Sequence, residues 1–321
     1  MSESIDPLSG DFALCLSGGG YRAAAFHLGV LDMLTRLGLA ENIRALSTIS
    51  GGTIIGTVYA LSRAERKSFN TFYEEFYATL LHRNVVKGAF ARLRDDVSRS
   101  PSLIRAAASV YAEDGFARNA TLGDLAESEH VPDELIFSAT EFEGGRAFRF
   151  QTSRRASVYV GSESALSVPD PLWREIQLAD VVAASSCFPS AFEPFLFPDD
   201  FAWKRPLPQV RGALGVAYER PLPLMDGGAY DNQGVNGVRT AYRRKDMQLG
   251  WMLISDSSPR RGKDAFYTPE TDKEGRITFG AAAGLVAALL IASLLSLISL
   301  VVDAAGEITG NMEERTPAVL D

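Results

Sequence analysis

The sequence predicts an α/β fold built on a central, mostly parallel sheet flanked by helices. Runs rich in apolar and β-branched residues, near 12–17, 43–49, 135–142, 146–153, 222–226 and 248–254, alternate with helical stretches through the first half of the chain. Two of these runs end in glycine-rich turns that open helices, and open α/β sheets place their ligands beyond such strand ends. At 321 residues and 46% hydrophobic, the chain is long enough for one large domain with a substantial core.

The first unit reads FALCLSGGGYRAAAFHLGVLDMLTRLGL from Phe12. It predicts a strand over Phe12–Leu16, a three-glycine turn and a long amphipathic helix. Consecutive glycines at a helix start are costly unless backbone must approach something closely. The N–H groups of Gly18, Gly19 and Gly20 can turn toward one point, to which the helix N-terminus adds the positive end of its dipole. A negative species is expected there, either a phosphate or the oxyanion of an acyl-transfer intermediate. Gly18 to Ala23 also fits the dinucleotide fingerprint G-x-G-x-x-G/A, which needs an acidic residue about 20 positions on, at the C-terminal end of the next strand. Glu41 stands at that count but precedes the strand, so the nucleotide alternative lacks one of its parts.

The second unit, RALSTISGGTIIGTVYALS, predicts a strand over Ile43–Ile49, a sharp turn at Ser50-Gly51-Gly52 and an apolar helix from about Thr53. A serine on such a strand-to-helix turn is held strained with its Oγ presented, the arrangement of a nucleophile elbow. The usual pattern is G-x-S-x-G, and Thr48 stands in the first small position. A serine that merely caps the helix explains the same local pattern.

A mostly helical segment, 64–130, follows, and its charged run Arg92-Leu93-Arg94-Asp95-Asp96 reads as a solvated helix face or lid exterior. The stretch 136–153 reads as two strands around Gly144-Gly145, and 178–195 as a helix ending near Pro189. Residues 198–223, with prolines at 198, 206, 208, 221 and 223, read as a long loop, of a length that is uncommon unless functional. A short apolar run then ends in Asp226-Gly227-Gly228. Alone this is a plain turn; beside a serine elbow and an anion site, Asp226 is the carboxylate able to take the Ser50 proton.

SGGGYRA, the elbow SGG and the DGG, in that order, resemble the patatin-like phospholipase family, and the Arg22 element resembles its relatives the cytosolic phospholipases A. The resemblance covers roughly residues 10 to 260 and implies a three-layer patatin-like catalytic domain there, followed by a linker at 261–276. It implies a lipid acyl hydrolase with a two-residue mechanism: Ser50 as nucleophile, Asp226 as general base, Gly18, Gly19 and Gly20 as oxyanion donors, and Arg22 on the substrate phosphate or oxyanion. A glycerophospholipid ester is the substrate it implies. An ordinary surface arginine in a first helical turn is the other reading of Arg22. The 136–153 and 178–195 segments are similar to the family's strand-turn-strand and to the segment lining its acyl site. Ser185 and Ser186 are accordingly read as helix-end and pocket-wall residues. A Ser-Asp-His order would need a histidine after Asp226, and His27, His82 and His130 all precede it. His27 shares a helix face with Ala23, Val30, Leu31 and Leu34 and reads as a hydrogen-bonded core histidine. An inactive lipid-binding or scaffold protein on the same fold is the non-enzymatic alternative, motivated by Thr48.

The formal net charge of −8 offers no footprint for nucleic acid or for anionic headgroups, so contact with a membrane surface has to be apolar. Cys15 and Cys187 fall in apolar segments and read as buried thiols in a reducing compartment. No cofactor or metal is called for, and the start MSESIDPLSGDF has neither a basic nor an apolar signal region. From Ile277 to Val302 run 26 uncharged residues, enough to span a bilayer, with a 303–321 tail beyond. Arg260, Arg261, Lys263, Lys273 and Arg276 precede that segment and only Arg315 follows, which leaves the catalytic domain on the cytoplasmic face of a membrane if the segment inserts. A buried core helix is the other reading of 277–302.

Overall fold

The computed structural model describes residues 10–95, 102–162, 167–243 and 249–258. All fall in one compact unit, Met1–Ser258. The linker, the apolar segment 277–302 and the tail lie outside the described residues. Among the described residues no helix is long and apolar enough to cross a membrane.

Strand β1 (Phe12–Leu16) is buried at every position and leads into α1 (Gly20–Arg36). The buried residues of α1, Ala23, Ala24, His27, Leu28, Leu31 and Leu34, repeat at helical spacing and so form one stripe against the sheet. Gly38, at φ 71°, ends the helix in a Schellman turn, with Leu39 N–H on the Leu34 carbonyl at 2.8 Å and Gly38 N–H on the Thr35 carbonyl at 3.0 Å. Strand β2 (Ile43–Ile49) and α2 (Gly51–Ala64) repeat the strand-to-helix unit. The helical region holds α3 (Phe69–His82), α4 (Val85–Asp95), α5 (Leu103–Tyr111) and α6 (Leu122–Ala126). Ser68, Ser102 and Thr121 each accept a backbone N–H at the start of α3, α5 and α6. Within the charged run, Arg92 lies on α4 and pairs with Glu113, and Asp96 lies outside the described residues.

Then follow β3 (Glu134–Glu141), β4 (Arg146–Ser153), β5 (Tyr159–Ser162), α7 (Leu172–Glu175), α8 (Leu178–Ser186), β6 (Phe195–Phe197), α9 (Leu207–Leu214), β7 (Leu222–Asp226), α10 (Gly228–Asp231), α11 (Val235–Arg243) and β8 (Trp251–Ser255). The sheet order is β5-β4-β3-β2-β1-β8, with β7 paired to β3 and β6 to β7. The expected parallel arrangement is the core β3-β2-β1-β8, while β4, β5, β6 and β7 join by antiparallel pairs.

One sequence expectation is corrected here: 198–223 is not a structureless loop, because α9 lies within it. Pro206 and Pro208 sit at the N-cap and first turn of that helix, where no donated hydrogen bond is lost. An aromatic cluster of Phe148, Phe150, Phe195, Phe197, Phe201, Trp203 and Tyr218 anchors the excursion. Each fully buried phenylalanine contributes roughly 1.5–3 kcal/mol over its exposed state.

Candidate active site

The pairing of β3 decides where Ser50 and Asp226 fall. Strand β2 runs parallel to β3 and ends with Ile49 opposite Ser138. Strand β7 runs antiparallel to β3 and ends with Asp226 opposite Ala139. Two strands therefore approach head to head and stop at consecutive positions of β3. The residue after Ile49 and the last residue of β7 are brought together, so that the Ser50 side chain lies near enough to the Asp226 carboxylate to favour its charged form. Residues 176 positions apart in sequence (226 minus 50) meet because of register alone.

Ser50 sits at φ 51° and ψ −116°, a left-handed conformation that costs a non-glycine residue on the order of 1–3 kcal/mol. It makes no side-chain cap of α2, so a simple capping role does not account for it. Its N–H donates to Ser185 Oγ at 2.9 Å. Gly51 lies directly over the glycine loop: a Cβ there would fall 2.1 Å from the Gly20 carbonyl oxygen. The N-termini of α1 and α2 thus abut beside Ser50, and the positive ends of two helix dipoles converge.

Asp226 is 5% exposed and Ser50 6%, so the carboxylate has little water around it. Burial raises the Asp226 pKa from its ordinary value, against smaller lowering effects from the Ser50 hydroxyl and the Gly228 N–H. The Gly228 N–H donates to Asp226 Oδ1 at 2.7 Å. Gly227 leaves no room for a side chain, since a Cβ would lie 2.3 Å from the Ser138 carbonyl oxygen.

The glycine loop differs in one respect from its sequence reading. The Gly18 N–H already donates to the Asn232 carbonyl at 3.0 Å, so it is not a free donor. Gly19 and Gly20 are the N-cap and first residue of α1, positions whose N–H groups have no intrahelical acceptor. Arg22 is exposed and forms no ion pair with a described residue. Its Nη2 lies 3.5 Å from the position a Gly19 Cβ would take, so the guanidinium folds back over the loop.

His27 is fully buried, with Nε2 2.9 Å from the Ser17 carbonyl and Nδ1 2.7 Å from Ser255 Oγ. A carbonyl only accepts, so Nε2 carries the proton and Nδ1 accepts from Ser255. Burial pushes the His27 pKa down to about 4, which keeps the ring neutral near pH 7. It is a core histidine that ties α1 to β1 and β8. His82 and His130 lie exposed. Cys15 and Cys187 are buried free thiols, each pushed up to about 12 by burial.

The dinucleotide alternative fails on position. Glu41 stands before β2 and pairs with Arg63 at 2.6 Å, while the C-terminal end of that strand carries Ser50. The structure also brings in residues that no local motif marks. Ser185 and Thr53 stand against the elbow, and Asn232 sits between the glycine loop and Gly228. Two signals lie in the sequence, the hydroxyl pair Ser185-Ser186 at a helix end and the Asp231-Asn232 pair after the DGG. A cavity of about 810 Å³ lies between α5, α8 and residues 199–204 and is lined by neither Ser50 nor Asp226.

Comparison with known proteins sets this site in context. A search of curated proteins returns no match. Solved structures that match include the human GIVD cytosolic phospholipase A2, at 12% identity over 72% of this chain and 44% of that one, with a TM-score of 0.45. VipD from Legionella pneumophila matches at 17% identity over 69% of this chain and 46% of that one, TM-score 0.32. ExoU from Pseudomonas aeruginosa, in complex with SpcU, matches at 19% identity over 56% and 38%, TM-score 0.29. The chain therefore spans less than half the length of these structural relatives. Residues 14–240, carrying the glycine loop, Ser50 and Asp226, match the family model described as patatin-like phospholipase, and the chain belongs to that family.

Proposed function

We propose that the protein is a lipid acyl hydrolase in which Ser50 and Asp226 act as a catalytic dyad. The observation that carries this reading is the meeting of β2 and β7 on the edge of β3, with the Ser50 hydroxyl on a desolvated carboxylate. At its ordinary pKa near 3.9 an aspartate is a weak base for a serine. Desolvation strengthens Asp226 as a base, and direct contact removes the need for a relaying histidine.

In the proposed reaction Asp226 takes the Ser50 proton as Oγ attacks the ester carbonyl. The electron pair moves to the carbonyl oxygen, held by the Gly19 and Gly20 N–H groups. Collapse of the tetrahedral intermediate expels the alcohol, which takes the proton back from Asp226. Water, deprotonated by the same carboxylate, then attacks the acyl-enzyme, and the fatty acid leaves as Ser50 recovers its proton. In this reading Arg22, exposed over the loop, binds a phosphate on the leaving group. Beside Tyr21 the exposed side chains of Leu81, Val86 and Phe90 share a depression with Arg83 and Lys87, and we assign this face to the lipid surface. Glycerophospholipid is the substrate class proposed.

Labelling with a fluorophosphonate, together with Ser50→Ala and Asp226→Asn, tests the reading. Both variants should lose ester hydrolysis almost completely, and only Ser50 should carry the label, since members of a catalytic unit fail together. Folded wild-type protein that takes no label, or near-wild-type turnover by Asp226→Asn, would sink it and favour a lipid-binding protein with an inert site.

A further inference from the structure

Ser185, at the C-terminal end of α8, is fully buried and bonds to Ser50 and to Gly227, the residue after Asp226. Its hydroxyl accepts the Ser50 N–H at 2.9 Å, lies 2.7 Å from Thr53 Oγ1, and donates to the Ser138 carbonyl at 2.7 Å. Its own carbonyl accepts the Gly227 N–H at 3.1 Å, and the Cys187 carbonyl two residues on accepts the Asp226 N–H at 2.8 Å.

Proton accounting orients this network. A serine hydroxyl has one proton and two lone pairs. The Ser138 carbonyl can only accept, so the Ser185 proton goes there. The Ser50 N–H takes one lone pair, and Thr53 must donate to the other. Thr53 has then spent its proton, so the contact of Thr48 Oγ1 with Thr53 Oγ1 at 3.0 Å is a donation from Thr48. The chain runs in one direction, from Thr48 through Thr53 and Ser185 to the Ser138 carbonyl. That carbonyl belongs to the β3 residue opposite Ile49, next to the one opposite Asp226. Ser185 Oγ has no free lone pair or proton, which excludes it as a rival nucleophile. The Ser50 amide, in its left-handed turn, has this hydroxyl as its acceptor.

We infer that Ser185 is a positioning residue that sets the reach of Ser50 to Asp226, holding the elbow through its hydroxyl and the turn after the base through its carbonyl. This role rests on the dyad reading above. Ser185→Ala removes only the hydroxyl half. It leaves the Ser50 amide, the Thr53 hydroxyl and the Ser138 carbonyl without their shared partner, so the elbow relaxes. The Ser50 hydrogen bond that lowers the Asp226 pKa weakens with it.

The test measures kcat, KM and the pH profile of p-nitrophenyl butyrate hydrolysis for wild type, Ser185→Ala, Thr53→Val and Ser62→Ala, with urea midpoints for each. Misplacement of a reacting group by a fraction of an ångström should lower kcat on the order of 10- to 100-fold in Ser185→Ala, with KM within about twofold. Its acid limb should move to higher pH, because Asp226 loses part of the contact that lowers its pKa. Ser62→Ala removes another buried hydroxyl, bonded to the Tyr59 carbonyl at 2.7 Å on the same helix as Thr53, and should keep wild-type kcat and pH profile. If Ser185→Ala does not fold, near-isosteric Thr53→Val carries the test, with a smaller fall in kcat and an acid limb displaced in the same direction. Folded Ser185→Ala with unchanged kcat and pH profile, or Thr53→Val indistinguishable from wild type where it carries the test, overturns the role while loss of activity in Ser50→Ala leaves the dyad standing. Hydrolysis that survives Ser50→Ala overturns the dyad, and the role of Ser185 with it.

Discussion

Thr48 occupies a position where an elbow usually has a small residue, and the structure shows how it is accommodated. A Cβ built on Gly56, one α2 residue facing it, would lie 2.5 Å from Thr48 Cγ2 and 3.4 Å from its Cβ. Gly56→Ala should therefore behave unlike an ordinary helical glycine replacement. In a helix interior the change gains about 1 kcal/mol from backbone propensity. Here it pushes on a β-branched side chain whose hydroxyl is held by Thr53 at 3.0 Å, and overpacking a filled core costs typically 1–3 kcal/mol. Displacing Thr48 also risks the hydrogen bond, worth about 1 kcal/mol. The net expectation is a loss of about 1–2 kcal/mol. Thr48→Ser removes the contacted methyl and keeps the hydroxyl, so in that background Gly56→Ala should recover the propensity gain and stabilise. The four proteins form a double-mutant cycle, read by urea denaturation, with an expected coupling of about 2–3 kcal/mol. Additivity within about 0.5 kcal/mol, or stabilisation by Gly56→Ala alone, would refute this account.

Other expectations follow from single groups. The His27 pKa falls from 6.5 to about 4 on folding, so the unfolded chain binds the proton first as pH drops. Its penalty is absent above pH 6.5 and grows to about 3 kcal/mol by pH 4; His27→Gln, compared with wild type by urea denaturation across that window, should lack this component, and parallel curves would refute the neutral buried ring. Arg22→Ala should penalise phospholipid hydrolysis at least about tenfold more than p-nitrophenyl butyrate hydrolysis, as a lost charge-assisted contact of 1.5–3 kcal/mol implies, and equal losses would remove its phosphate role. The 26 uncharged residues from Ile277 to Val302 exceed the roughly 20 needed to span a bilayer. Full-length protein is expected to stay with membranes through a carbonate wash and to be released by deletion of 277–321, and full-length protein in the soluble fraction would rule out a spanning anchor.

Legibility in the sequence followed the range of the interaction. The β1–α1 and β2–α2 units were readable because a buried strand, a glycine turn and an apolar helical stripe are written in contiguous residues. Strands β5 and β6 were missed because they are 4 and 3 residues long and draw their stability from neighbours in the sheet. The prolines of α9 pointed away from a helix because proline is equally at home in a turn and in a first helical turn. The bonded state of the Gly18 N–H was hidden for the same reason: whether a loop N–H is free depends on a carbonyl, here that of Asn232, far downstream. The pairing of Ser50 with Asp226 is the instructive exception, since it is long-range and yet was legible. Each residue ends a strand, and strand ends are local signals. What no local signal could convey is that β7 enters antiparallel on the same edge of β3 as β2, which turns two strand ends into one contact. Ser185 read only as a helix-end and pocket-wall residue because its hold on the elbow lies in that junction: it holds Ser50 through its side chain and Gly227 through its backbone, and neither half exists until the two strands have met.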